Sequence, residues 1–365
     1  MLALSFGCAR LRARCCVMRH LLRLHAVLAL GTLLAPVSRA AEPTSEFDPI
    51  VFELQNGNGV DFVTNSSRTD HRHQPETMVS GVALLDYDND GYLDIYVVNG
   101  AKMTELDKTD PVYWNRLYHN EGDGTFEDVT EAAGVKGDHY DLGIAAADYD
   151  DDGFTDLFVA GLRKNVLFRN KGDGTFEDVS EKAGFNKPDP EYGTLWAVAA
   201  GFVDYDNDGD LDLFVSNYCV WDPETEPLCG PKGLNDYCHP TNYRGLPTSL
   251  YRNEGDGTFT DVSVETGIRK VIGKGMGLGI ADYDGDGWTD LFVGNFGADA
   301  LYRNNGDGTF SLQRDTGVED PRWAASAAWG DIDDDGLPDL FVTNYLAYSM
   351  QEAIFCGEPD RDVYS

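Results

Sequence analysis

Basic residues are scarce: 28 Lys+Arg stand against 63 Asp+Glu, a net charge of −35 over 365 residues. Binding to a phosphate backbone or an anionic membrane surface needs clustered cations that displace counterions, so both are excluded as partners. Cations are the natural ligand of such a chain. Seven cysteines are present, but no two stand in Cys-x-x-Cys spacing, which removes the footing for zinc ribbons and thioredoxin-type redox chemistry. Absent too are a Gly-x-Ser-x-Gly elbow, a His-Glu-x-x-His pair and a phosphate-cradling glycine loop, so nothing marks the chain as an enzyme. Long helix-forming runs are lacking, while 40 Gly, 18 Tyr and 18 Phe point to many short strands joined by tight turns.

Residues 1–40 carry six arginines and no acid, then the apolar run LHAVLALGTLLAPV at 24–37 and the small residues Ser38 and Ala40. A basic flank, an apolar core too short to span a bilayer and a small-residue cleavage site predict a secretory signal peptide over 1–40. The mature chain, 41–365, is then secreted or displayed at the cell surface, or periplasmic if bacterial. No later segment is apolar enough to enter a membrane. Cys219, Cys229, Cys238 and Cys356 remain after cleavage, an even number that an oxidising compartment allows to pair.

One acidic loop occurs five times: DYDNDGYLD from Asp86, DYDDDGFTD from Asp148, DYDNDGDLD from Asp204, DYDGDGWTD from Asp282 and DIDDDGLPD from Asp331. Small apolar residues lead into each copy. A second motif follows the first four: LYHNEGDGTFEDV around Asn120, LFRNKGDGTFEDV around Asn170, LYRNEGDGTFTDV around Asn253 and LYRNNGDGTFSLQ around Asn304. In the first unit this predicts strands at 81–85, 93–98, 116–120 and 125–129, with Gly-Asp-Gly closing the last hairpin through positive φ angles. Loop starts are 62, 56, 78 and 49 residues apart, near the roughly 40–50 residues of a propeller blade once insertions are allowed. The expected fold is all-β, a β-propeller of four-stranded antiparallel blades. Five blades bear loops, and the last lacks its hairpin, so the ring reads as truncated or incompletely closed. Residues 47–64 are expected to supply an outer strand from the other terminus.

Carboxylates at loop positions 1, 3 and 5, a glycine at 6, a carbonyl at 7 and a carboxylate at 9 form a cage of hard oxygens, the donor set of Ca²⁺. The first cage uses Asp86, Asp88, Asp90, the Tyr92 carbonyl and Asp94; the second Asp148, Asp150, Asp152, Phe154 and Asp156. The third uses Asp204, Asp206, Asp208, Asp210 and Asp212, and the fourth Asp282, Asp284, Asp286, Trp288 and Asp290. The fifth uses Asp331, Asp333, Asp335, Leu337 and Asp339, so up to five calcium ions are expected. An EF-hand would need a bidentate Glu at position 12 between two helices. Here position 12 is Val97, Val159, Val215, Val293 or Val342, each in a β-rich run.

These loops and their strands resemble the FG-GAP and VCBS-type repeats of integrin α-chain propellers. The stretch GVDFVTNSSRTDHRHQPETMVSGVALLDYDNDGYLDIYVVNG, with the LYRNxGDGTFxDV hairpins, is similar to the cartilage acidic protein family, whose bacterial members often carry a C-terminal ASPIC/UnbV segment. The resemblance covers about 47–365. It implies a secreted or surface-displayed calcium-binding propeller used in adhesion or matrix interaction, without catalytic activity. The ASPIC/UnbV segment and the final blades of that pattern are missing from this sequence.

The long third spacing comes from an insertion at 217–246, NYCVWDPETEPLCGPKGLNDYCHPTNYRGL. A protruding loop without strands needs a staple, which predicts a Cys229–Cys238 disulfide. Cys219 and Cys356 are left to pair or stay free. The insertion is the expected recognition surface, for a protein or glycan partner. His71 and His73 have the composition of a transition-metal site, but their polar surroundings predict exposed side chains. The competing function is a polysaccharide-active lyase or hydrolase with structural calcium; the abundance of Asp leaves no carboxylate pair distinctive enough to support it.

Overall fold

In the computed structural model, which describes residues 54–230 and 235–345, strand follows strand with little else. The first blade is β1 (Val82–Leu85), β2 (Asp94–Val97), β3 (Arg116–Asn120) and β4 (Phe126–Asp128). The second is β5 (Asp141–Ala147), β6 (Asp156–Gly161), β7 (Val166–Asn170) and β8 (Phe176–Asp178). The third holds β9 (Ala197–Val203), β10 (Asp212–Asn217), β12 (Ser249–Asn253) and β13 (Phe259–Asp261), with β11 (Leu246–Pro247) paired separately to β14 (Ile272–Gly273). The fourth is β15 (Gly275–Ala281), β16 (Asp290–Asn295), β17 (Ala300–Asn304) and β18 (Phe310–Gln313), and a two-stranded fifth unit is β19 (Ala324–Gly330) and β20 (Asp339–Asn344). Within each blade every pairing is antiparallel between successive blade strands, β11 and β14 forming a separate antiparallel pair. The signal peptide expected at 1–40 and Cys356 lie outside the described residues.

Blades stack face on face because their second strands are apolar on both sides. In β6, Leu157 and Val159 join the core shared with the first blade, while Phe158 and Ala160 join the core shared with the third. The period of two along a strand divides one tetrapeptide between two interfaces. In β10, Leu213 and Val215 face backward and Phe214 forward by the same rule. Burying each such side chain contributes about 1.5–3 kcal/mol. The DLFV of β20 has the same residues, yet Phe341 is 53% exposed where Phe158 and Phe214 are fully buried.

First strands pack side by side in chain order, β1 to β5 to β9 to β15 to β19. Their small residues are required by this approach: a Cβ on Gly81 would come within 2.6 Å of the Leu142 carbonyl, and one on Gly277 within 2.7 Å of the Ser326 backbone. Met78, Leu142, Val198, Met276 and Ala325, at the entries to the five first strands, line one cleft, so these strands surround a common axis. The result is a propeller-like array of four-stranded sheets. At its two flanks Val82, Leu84 and Phe341 are exposed.

Residues 54–64 do not form the expected outer strand. Gly57 and Gly59 adopt φ of 74° and 98°, which breaks the extended run. The segment is tied to the blade by Phe126 N–H to the Asn58 carbonyl at 2.7 Å, Tyr118 OH to Asp61 at 3.1 Å and Asn99 Nδ2 to the Val63 carbonyl at 3.4 Å.

Alternating strand direction sorts the connections. The acidic loops and Gly-Asp-Gly hairpins lie at one end of the blades, and the 217–246 insertion, which joins the second and third strands of its blade, lies at the other.

Candidate metal centres

Each acidic loop closes on its own backbone. The position-1 carboxylate accepts from the N–H groups of positions 5 and 6, as Asp86 does from Asp90 and Gly91 at 3.0 and 2.9 Å. Asp148, Asp204, Asp282 and Asp331 repeat this. Position 9 accepts from the N–H of position 2 in all five copies. Two residues take left-handed backbone: the glycine at 6, and also position 4, with φ of 60° at Asn89, 53° at Asp151, 57° at Asn207, 72° at Gly285 and 62° at Asp334. Asn, Asp and Gly are the residues that tolerate this region, so position 4 carried a conformational signal that the ligand pattern had masked.

Folding this way brings the carboxylates of positions 1, 3 and 9 together. In the first three loops the ligand atoms of Asp86, Asp88 and Asp94, of Asp148, Asp150 and Asp156, and of Asp204, Asp206 and Asp212 lie within 4.8 Å of one another. One oxygen each of Asp88, Asp150 and Asp206 is buried with no hydrogen-bond partner. A buried carboxylate oxygen facing other carboxylates is strongly unfavourable without a cation. Desolvation pushes Asp156 and Asp212 up to about 7 and Asp290 to about 6, against the pull of backbone N–H donors. Asp94 is raised for the same reason.

Guanidinium groups meet part of this charge. Arg169 reaches Asp150 at 2.5 Å and Asp152 at 2.7 Å, and Arg303 reaches Asp284 at 2.5 Å and Asp286 at 2.6 Å. Thus positions 3 and 5 of the second and fourth loops are bridged by arginine. In the third blade Arg252 turns to Glu254 instead, and in the first blade His119 stands 3.4 Å from Asp88 and 3.3 Å from Asp94. The fifth loop is open to solvent from Asp331 through Asp335 to Leu337, with Asp339 half-buried.

At position 7 the side chain has a packing role. A Cβ on Gly122 would come 2.6 Å from the Tyr92 ring, one on Gly172 2.5 Å from Phe154, one on Gly306 2.8 Å from Trp288, and one on Gly255 2.8 Å from Asp210. The first glycine of the hairpin is therefore required by the loop beside it.

Hairpin asparagines have a role that the turn motif alone did not disclose. Asn170 donates its N–H to Asp156 at 2.7 Å, accepts from Gly172, and sends Nδ2 to the Tyr87 carbonyl of the preceding blade's loop at 2.7 Å. Asn253 reaches back to Tyr149 and Asn304 to Tyr205 at 2.9 and 2.7 Å. Asn120 bonds only its own blade, through Leu93. Asn170→Ala leaves a buried carbonyl unpaired and is expected to lower the unfolding free energy by about 2–4 kcal/mol, with Asn120→Ala costing about 1 kcal/mol. Equal midpoints for the two variants in urea denaturation would contradict the clamp.

At the other end, Cys229 and Cys238 are joined by a disulfide with a Cα–Cα distance of 5.2 Å. Cys219 is buried and has no disulfide partner among the described residues, and burial pushes its thiol well above the usual range. Around it gather Trp196, Tyr218, Trp221 and Tyr243. The histidines depart from expectation: His73 is buried at 4% exposure and His71 is half-buried, stacked on His73. Glu226, from the insertion, lies 2.6 Å from His73 Nδ1 and draws that ring into the interior.

Matches to known proteins follow the repeats. The FG-GAP-like repeat profile matches residues 86–159, 148–215, 241–293 and 282–342. Cartilage acidic protein 1 of Homo sapiens is 27% identical over 183 residues, covering 49% of this chain and 24% of its own length. The Xenopus tropicalis protein of that name is 27% identical over 276 residues, covering 62% and 41%. This chain thus spans less than half the length of these relatives. Among solved structures, an Agrocybe aegerita lectin that recognises non-reducing terminal N-acetylglucosamine aligns at TM-score 0.40 and 19% identity over 72% of this chain and 60% of its own. The V. cholerae biofilm matrix protein Bap1 aligns at TM-score 0.38 and 15% identity over 77% and 37%.

Proposed function

Because the chain belongs to the family of FG-GAP-like repeats, we propose that it is an exported calcium-binding propeller that acts, without catalysis, as an interaction module for a protein or glycan partner. The observation that carries the calcium reading is the trio of buried, partnerless oxygens on Asp88, Asp150 and Asp206, each set among other carboxylates. Ca²⁺ takes six to eight oxygens in a flexible shell, and positions 1, 3, 5 and 9 with the position-7 carbonyl offer that number with a water. In the second and fourth loops the ion displaces Arg169 and Arg303 from the carboxylates they bridge. The partner reading rests on the stapled insertion, whose disulfide and aromatic residues anchor it to the blade scaffold, since loops carried on a rigid scaffold commonly bind partners.

Calorimetric titration of the chelator-stripped chain tests the first half. Several calcium ions, up to five, are expected to bind, and Asp150→Asn is expected to remove one of them. Absence of binding heat, or an unchanged stoichiometry in the variant, would overturn it. For the second half, calcium-dependent retention on immobilised matrix proteins or glycans without product release is the expected result. Shortened products from an anionic polysaccharide would overturn the non-catalytic reading.

A further inference from the structure

We propose that His71, His73 and Glu226 form a zinc site, separate from the acidic loops, which clasps the segment ahead of the first blade to the insertion of the third. One ligand atom from each of the three residues lies within 4.8 Å of the others. The two imidazoles stack with centroids 4.2 Å apart and planes 16° from parallel. The Nε2 atom of His71 is buried and has no hydrogen-bond partner. A ring nitrogen withdrawn from water and bonded to nothing is unfavourable, and a metal ion facing it removes that cost.

The donor set selects the metal. Imidazole nitrogen is a poor ligand for calcium and a preferred one for zinc. Two histidines and a glutamate are a known zinc set that leaves a fourth position for water. Zinc at about 2.0–2.2 Å from each ligand needs them roughly 3.4 Å apart, so the Glu226–His73 contact, 2.6 Å, opens slightly as the ion enters between them.

The carboxylate is also prearranged. Glu226 has 1% of its side chain exposed. It accepts from Gln74 N–H at 2.8 Å, Trp221 Nε1 at 2.8 Å and Tyr243 OH at 2.5 Å, as well as facing His73. Three neutral donors orient it, and outer contacts of this kind set ligand geometry. The histidine segment is fixed independently: Glu76 holds His73 N–H at 3.1 Å and receives Tyr237 OH from the insertion at 3.1 Å, while Asn235 Nδ2 reaches the Asp70 carbonyl at 2.9 Å.

The test uses the full chain, stripped of metal and then saturated with calcium so that the acidic loops are filled before zinc is added. One zinc per chain is expected, and Co²⁺ in its place should give the intense visible bands of a four-coordinate nitrogen and oxygen site. His71→Ala, which breaks no hydrogen bond of Nε2, should weaken zinc at least about tenfold while leaving calcium-dependent melting unchanged. Glu226→Gln should do likewise, and His71→Asn serves if either variant fails to fold. The proposal is overturned if the calcium-loaded chain takes up no stoichiometric zinc, or if the variants take up zinc as the unsubstituted chain does. Calcium binding is read separately, so failure here leaves the loop assignment intact, and the reverse holds.

Discussion

Restoring calcium to the chelator-stripped chain is expected to raise its melting temperature by about 10 °C or more. A ligand bound only by the folded state adds about 2.7 kcal/mol when present at a hundred times its dissociation constant. In a chain of this size, longer than a domain of about 250 residues, each kcal/mol moves the midpoint by only about 1.5 °C, so about three filled loops suffice. Two features of the loops place the effect at the upper end. The carboxylates of positions 1, 3 and 9 lie within 4.8 Å of one another in three copies, so the empty state carries repulsion that the ion relieves. The position-9 carboxylates also anchor the hairpins through Asn120, Asn170, Asn253 and Asn304, so ordering the loop tightens the sheet. Magnesium, which demands a small octahedral shell and keeps its water, should give a much smaller shift. Equal shifts for the two ions, or none, would remove the physical basis of the calcium reading.

The second large effect is a reversal of pH dependence by calcium. Asp156 and Asp212 are raised to about 7 and Asp290 to about 6 from an ordinary 3.8, chiefly by desolvation. A folded state that holds protons more tightly than the unfolded chain gains stability at low pH. For these groups the contribution is complete below 3.8 and disappears as pH rises through 6 to 7. The metal-free chain should therefore melt at higher temperature at pH 5.5 than at pH 7.5, by an amount of order 1 kcal/mol per group. With calcium the sign inverts, because the ion requires ionised carboxylates and protons compete for them below about 7. Melting curves at the two pH values with and without calcium give the four numbers needed. Asp156→Asn should flatten the metal-free dependence, and a common sign in both conditions would refute the argument.

Most of the blade was legible because the chain repeats it. Strands expected at 81–85 and 116–120 match Val82–Leu85 and Arg116–Asn120, since small residues, acidic loop and glycine turn all point to the same local structure. What stayed hidden depended on contacts between distant parts. Asn170 looks like an ordinary residue ahead of a turn until Tyr87, 83 residues earlier, is placed against it. His71 and His73 read as exposed because Glu226 lies 153 residues beyond His73. The DLFV of β20 shows the converse limit: the tetrapeptide that is buried in β6 is half open in the fifth unit, because burial belongs to the neighbour as much as to the strand. For residues 54–64, the described part of the 47–64 segment, Gly57 and Gly59 outweighed the apolar alternation around them.

The asparagine clamp has a direction, and that direction matters while the chain is being made. Asn170 secures the loop that begins at Asp86, Asn253 the loop from Asp148, and Asn304 the loop from Asp204. In each case the lock is carried by the blade that is translated later. As the chain emerges from its N-terminus, a finished sheet waits with its acidic loop unlatched until the next sheet arrives and reaches back. The lock is always one blade behind the growing end, so a chain whose growth stops between blades exposes one unsecured acidic loop until the next blade's asparagine is made and folds onto it.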